Sequence, residues 1–182
     1  NQFGFSEISP VSLEKANNVH HVGAVQSEYS LSTRFPELGL LQKTKKLETA
    51  FIAFSPVGRG LLTDKPPTPE RVKESPFLNV NPRFQEPNLS ENIEAVKRFQ
   101  KLAKDYGLSA AGLAIAWLIA KDDHIIPIPG TRSTMHLKEM IKGTEKNLNQ
   151  SDINEIEKTL PVGWAHGDRY SDIQWIGPEK YC

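Results

Sequence analysis

Short apolar or β-branched runs alternate with longer stretches of helical spacing along this chain, and no other feature constrains its fold as tightly. The alternation reads as successive βα units. The first strand candidate is only a tail, Phe3-Gly4-Phe5-Ser6, and a chain opening on the end of a strand reads as cut. Ser12 can cap the helix that follows, which carries Leu13, Ala16 and Val19. A strand over Val22 to Gln26 leads into a helix from about Glu37 to Glu48 with Leu40, Leu41 and Leu47 as its stripe. Ala50-Phe51-Ile52-Ala53-Phe54 is the most strand-like run, and Ile125-Ile126-Pro127-Ile128 is the last. Three full strands and the end of a fourth, each followed by helix, predict a parallel sheet buried on both faces by its crossovers.

Between Ser55 and Ser90 both periodicities vanish, and Pro66, Pro67, Pro69, Pro76, Pro82 and Pro87 punctuate the stretch. A loop of that length inside a compact domain is usually functional or mobile. Beyond it Ile93, Val96, Phe99, Leu102 and Tyr106 recur at helical spacing up to Gly107, a C-cap signal. Ser109 can start a helix that is apolar nearly all round, and so predicted to be buried. Ser133 can cap another, carrying Leu137, Met140 and Ile141, with Gly143 expected to stop it. A final helix is predicted from Ser151 to Leu160, ahead of an aromatic-rich tail.

Charge and cysteine usage narrow the function classes. Lys plus Arg and Asp plus Glu are equal at 22 each, so no global field draws the chain to nucleic acid or anionic lipid. The 38% hydrophobic and 24% charged content is that of an ordinary globular domain, taken as a single unit over residues 1–182. The lone cysteine, Cys182, permits no internal disulfide and favours a cytoplasmic setting. No apolar run approaches the roughly 20 residues that cross a bilayer. No basic, then apolar, leader opens at Asn1-Gln2-Phe3, and there is no initiator Met.

Five short motifs occur in order: Gly4-Phe5-Ser6-Glu7, Val25-Gln26-Ser27-Glu28-Tyr29-Ser30, Phe54-Ser55-Pro56-Val57-Gly58-Arg59-Gly60, Pro127-Ile128-Pro129-Gly130-Thr131-Arg132 and Gly167-Asp168-Arg169-Tyr170. Together they resemble the aldo-keto reductases, and most nearly the bacterial, fungal and plant branch ending in a Gly-Asp-Arg-Tyr-like motif. The resemblance implies an α/β fold, the TIM (β/α)8 barrel of aldo-keto reductase type. This chain would supply its second half, from the end of the fifth strand through the eighth helix and a terminal helix. Residues 58–90 would be a loop folded over the cofactor. The family's catalytic Asp, Tyr, Lys and His belong to the first half, and none has a counterpart here.

TIM barrels place their sites at the C-terminal ends of strands, where Ser6, Gln26 and Phe54 stand. By the resemblance Ser6 and Gln26 hydrogen-bond the nicotinamide carboxamide and Phe54 stacks on its ring, where the family more often has Tyr. The plain alternatives are a turn serine, a loop glutamine and a core phenylalanine. Ser55, Pro56, Val57, Gly58, Arg59 and Gly60 follow a strand directly, where glycines let backbone N–H groups approach an anion and Arg59 can add charge to a pyrophosphate cradle. Gly130, Thr131 and Arg132 precede a helix whose first-turn N–H groups suit a phosphate. The Arg132 guanidinium favours a 2′-phosphate, hence NADP(H). His136 takes the family's second basic position, Glu139 the adenine-contacting acid, and Met140 stands where Asn is usual. The plain alternative for Arg132 and His136 is a solvated helix start. Tyr106 reads as packing, and the adjacent His20 and His21 as a helix exit rather than a metal site.

The implied function is NADPH-dependent reduction of a small-molecule aldehyde or ketone, this segment holding the cofactor and the missing N-terminal half carrying the proton donor. The alternative is a non-catalytic nucleotide-binding or interaction subunit on the same fold.

Overall fold

The computed structural model describes residues 3–180, so Asn1, Gln2, Tyr181 and Cys182 lie outside the described residues. Strands β1 (Gly4–Ser6), β2 (Ala24–Glu28), β3 (Ala50–Phe54) and β4 (Ile125–Ile128) form one parallel sheet in sequential order. In register across it, Val25, Phe51 and Ile125 make a buried row facing the helices. The adjacent row, Ser6, Gln26, Ile52 and Ile126, points the other way, and Ser6, Gln26 and Ile126 are exposed.

The expectation of a sheet buried on both faces is therefore corrected, since among the described residues helices cover one face only. Right-handed crossovers between strands in unbroken sequential order keep putting helices on the same side. Covering both sides requires the strand order to reverse. A single covered face is the geometry of a barrel wall. The core lies between the sheet and helices α1 (Pro10–Asn17), α2 (Leu40–Lys46), α4 (Asn88–Asp105), α5 (Ala110–Lys121) and α7 (Gln150–Thr159), and Leu13, Leu40, Phe99, Trp117 and Ile156 are among its fully buried members.

The helix ends show how local chemistry sets the boundaries. Ser9, not Ser12, caps α1: its side chain accepts from the Ser12 N–H at 3.2 Å, and Pro10 takes the first helical position. Val19 falls outside α1 and is exposed. The helix expected over 37–48 is broken at Gly39, whose φ of 145° separates a 3-10 turn, Phe35–Leu38, from α2. Helix α4 ends in a Schellman motif, with Leu108 N–H donating to Ala103 and Gly107 N–H, at φ 69°, donating to Lys104. Ser109 caps α5 as expected, and residues 110–118 are all buried.

Two further expectations are corrected. The proline-rich stretch is not structureless: it holds α3 (Pro69–Glu74), capped by Thr68, and 3-10 turns at Leu78–Val80 and Pro82–Phe84, before α4 begins at Asn88. Gly143 does not stop α6 (Thr134–Thr144) but lies inside it, pressed against α5. Leu137 and Ile141 on that helix are exposed, and Met140 alone of the three is buried. No single described helix is long and apolar enough to cross a membrane.

Candidate functional site

Two segments about seventy residues apart in sequence meet in one cleft of about 860 Å³. One wall comes from the turn after β3, the other from the loop after β4 and the first turns of α6. Of the residues singled out by sequence, Ser55, Pro56, Val57, Arg59, Gly60, Gly130, Thr131, Arg132, His136, Glu139 and Met140 line it. Lys65, Thr68 and Arg71 of the proline-rich loop line the same cleft, and the sequence reading missed them as individuals. Among irregular backbone, nothing but the loop's position beside β3 signalled them.

Helix α6 enters the cleft N-terminus first. Ser133 caps it, accepting from the His136 N–H at 3.4 Å, and Thr131 Oγ1 accepts the Ser133 N–H at 3.1 Å. The remaining first-turn N–H groups, those of Thr134 and Met135, have no acceptor within a helix and carry the positive end of its dipole. Arg132 and His136 are exposed at this end. Met140 is not a surface contact: it is buried against Ala111 and Ile115, so it gives the cleft an apolar floor.

The turn after β3 works differently from expectation. The N–H groups of Gly58 and Gly60 are already donated within the turn, to Ser55 O at 2.8 Å and Val57 O at 3.1 Å. What these glycines supply is conformation, with φ of 59° and 94°, and close packing: a Cβ on Gly58 would stand 2.7 Å from Ser32 Oγ. Arg59, which lines the cleft, already has partners within the protein. Its guanidinium is bonded to Glu28 and to the Arg169 carbonyl and lies against the rings of Phe77 and Tyr170, 4.8 Å from each centroid.

Ser6 and Gln26 lie outside the cleft lining and are exposed, Ser6 at the end of β1 but Gln26 in the middle of β2, which runs on to Glu28 rather than ending at Gln26 as expected, and Phe54 is half-buried one residue before the cleft begins. In register Ser6 sits opposite Gln26, whereas Phe54 sits opposite Glu28, two positions further along. The three thus share the open face of the sheet at two levels. Tyr106 packs as expected and also donates to Asp152 at 3.0 Å and Glu155 at 2.9 Å. His20 turns its Nδ1 to the His21 carbonyl, 2.9 Å away, and its ring lies 5.3 Å from that of Phe3.

Beneath the strand ends lies a buried charge cluster that the sequence reading did not identify. Arg169 from the tail, with no exposed surface, bonds Glu7 at 2.8 and 3.1 Å and reaches Glu28 at 3.5 Å. Glu28 accepts Thr33 Oγ1 at 3.1 Å, and Thr33 in turn accepts Arg83 at 2.9 Å. Burial raises the Glu7 carboxyl despite Arg169, and lowers Arg83 to about 10 despite Glu28. A signal was present: Glu7 and Glu28 each follow a serine at the end of a strand, and Arg169 belongs to a motif already singled out.

The chain has known relatives. Residues 1–161 match the Aldo/keto reductase family model. The chain belongs to the Aldo/keto reductase family. Among curated aldo-keto reductases it is 35% identical over 167 residues to "Probable aldo-keto reductase 1" of Glycine max, covering 92% of this chain and 48% of that protein. It is 32% identical over 170 residues to the aldo-keto reductase yakc of Schizosaccharomyces pombe, whose name carries NADP(+), covering 92% of this chain and 50% of that one. The chain therefore spans about half the length of the curated relatives it matches. Among solved structures it superposes on the glycerol dehydrogenase AKR11B4 of Gluconobacter oxydans with a TM-score of 0.74 at 21% identity, over 94% of this chain and 51% of that one. The thermostable aldo-keto reductase Tm1743, solved with the inhibitor epalrestat, gives 0.64 at 23% identity, over 87% and 48%. These two likenesses show the fold, a TIM-barrel-like α/β architecture.

Proposed function

We propose that this aldo-keto reductase chain is the NADP(H)-holding half of an oxidoreductase that reduces aldehydes or ketones to alcohols. The observation that carries the reading is the cleft, in which Ser55–Gly60, Gly130–Met140 and the covering loop converge. Its residues fit the cofactor. Exposed basic side chains, Arg132 beside the α6 N-terminus and Lys65 and Arg71 on the opposite loop, with the His136 ring as a further hydrogen-bonding group, suit a phosphorylated dinucleotide. The apolar floor of Ala111 and Met140 suits a base. The name of the yakc relative, with NADP(+), points the same way.

In this reading Arg132 binds the 2′-phosphate, Glu139 faces the adenine end, and Ser6, Gln26 and Phe54 on the open sheet face orient the nicotinamide. When bound, that group supplies the hydride. Reduction also needs a proton donor within roughly 3 Å of the developing alkoxide, which the proposal assigns to the other half of the barrel. Closure of the barrel accords with the open face and with β1 and β4, which among the described residues pair on one side only.

NADPH and NADH titrations followed by cofactor fluorescence test the reading, together with reduction of 4-nitrobenzaldehyde. The expected result is NADPH bound in preference to NADH, no turnover by residues 1–182 alone, and turnover when the upstream half is restored in fusion or in trans. Turnover by the 182 residues alone, abolished by a substitution within them, would overturn the division of labour.

A further inference from the structure

The tail ties one wall of the cleft to the covering loop through one atom. The Arg169 carbonyl oxygen accepts Arg59 from the turn below the cleft and Asn81 from the covering loop. Asn81 closes a turn with Leu78, which lines the cleft. The side chains cluster along the same line. Arg59 lies 4.8 Å from the centroids of Phe77 of the loop and Tyr170, and Arg169 lies 4.6 Å from Tyr170 and 4.7 Å from Trp175. Tyr170 is the ring the two cations share, and it meets Phe77 and Trp175 edge-on, with centroids 6.4 and 5.2 Å apart.

Two features tie this cluster to the cleft. Arg59 holds a left-handed backbone, φ 56°, which a side chain rarely adopts and which persists only where its contacts over-determine it. Those contacts are Glu28, the Arg169 carbonyl and two rings, and three of the four come from the tail or the covering loop. Arg169 is in turn fixed by buried Glu7 and Glu28, so the tail docks in one position. Glu179, further along, accepts the N–H of Ser9 at 3.0 Å, and its own N–H donates to Glu7 O at 2.9 Å.

We infer that the Gly167–Trp175 segment is a clasp. Docking of Arg169 and Tyr170 sets Arg59 and the covering loop, so that tail docking and dinucleotide binding in the cleft strengthen each other. Arg59, Arg169 and Tyr170 are positioning residues in this inference, which rests on the proposed cofactor site. The coupling is reciprocal: whatever factor the docked clasp adds to affinity, the bound dinucleotide adds to docking.

Backbone hydrogen exchange over 167–175, with and without saturating NADPH, reads the coupling directly in the 182-residue chain. Exchange is expected to slow about 5- to 100-fold with NADPH, the range of ordinary coupling. Tyr170→Ala removes the central ring but leaves every buried charge paired. It is expected to raise the NADPH Kd about 5- to 100-fold and abolish the ligand-induced protection. Tyr170→Phe keeps the shared ring and should restore both. Arg169→Ala takes the cation from buried Glu7 and one of two from buried Glu28 and can unfold the chain, so the tyrosine pair carries the test. If NADPH binds the wild-type chain yet exchange over 167–175 does not change, the clasp is wrong and the cofactor site stands. If the wild-type chain does not bind NADPH, the proposed function fails and the inference with it.

Discussion

Gly143 of α6 rests directly on Gly112 of α5: a Cβ built on Gly143 would fall 2.2 Å from the Gly112 carbonyl oxygen. Only two glycines allow the helix backbones so near, and this contact fixes the axis of α6, whose N-terminus enters the cleft. Gly143→Ala would gain about 1 kcal/mol of helix propensity. A clash with backbone cannot be relieved by a rotamer change, and overpacking typically costs about 1–3 kcal/mol. The expected outcome is a lower Tm together with weaker NADPH binding, measured by thermal unfolding and cofactor fluorescence. An unchanged Tm would show that the helices separate freely.

Arg132 is exposed beside the Ser133 cap, and the proposed function makes it the reader of the 2′-phosphate. Arg132→Ala removes a charge-assisted contact of about 1.5–3 kcal/mol, or roughly ten- to a hundred-fold in NADPH affinity. NADH affinity should stay the same. Equal weakening of both cofactors in the fluorescence titration would remove Arg132 from that role.

Ser109 begins the most deeply buried helix of the chain and accepts the Gly112 N–H at 3.0 Å. Ser109→Ala leaves that donor to other partners and is expected to cost about 1 kcal/mol. Urea unfolding should show a lower midpoint with an unchanged slope, because the surface exposed on unfolding is the same.

Asp122 receives Lys45 at 2.6 Å and His124 at 2.9 Å, and these bonds, that of Lys45 foremost, bring its carboxyl down from 3.8 to about 2. A carboxylate held below its ordinary pKa binds protons less readily folded than unfolded. It therefore adds stability above about pH 4 and loses that contribution as the pH falls through about 2. Asp122→Asn should lower Tm slightly at pH 7, with the gap to wild type closing as the pH falls to about 2. Added salt should narrow the gap at pH 7, since Lys45 is largely exposed. Thermal scans across pH 2–7 would show it, and a gap that persisted at the acid end would refute it.

Local chemistry alone determined the βα alternation, the strands Ala50–Phe54 and Ile125–Ile128, the Ser109 and Ser133 caps and the Gly107 stop, because periodicity, capping hydroxyls and left-handed glycines act within a few residues. The ordered motifs were enough to point to the aldo-keto reductases. Tertiary structure decided what depends on partners far along the chain. Gly143 reads locally as a stop, and only the approach of α5 makes it a contact inside a helix. Arg59 reads as a phosphate ligand beside two glycines, until Glu28, 31 positions away, and the Arg169 carbonyl, 110 positions away, claim its guanidinium. Lys65 and Arg71 gain a place in the cleft only when the proline-rich loop folds across it. Charge pairing and close backbone contact are set by distance in space, which short-range pattern does not encode.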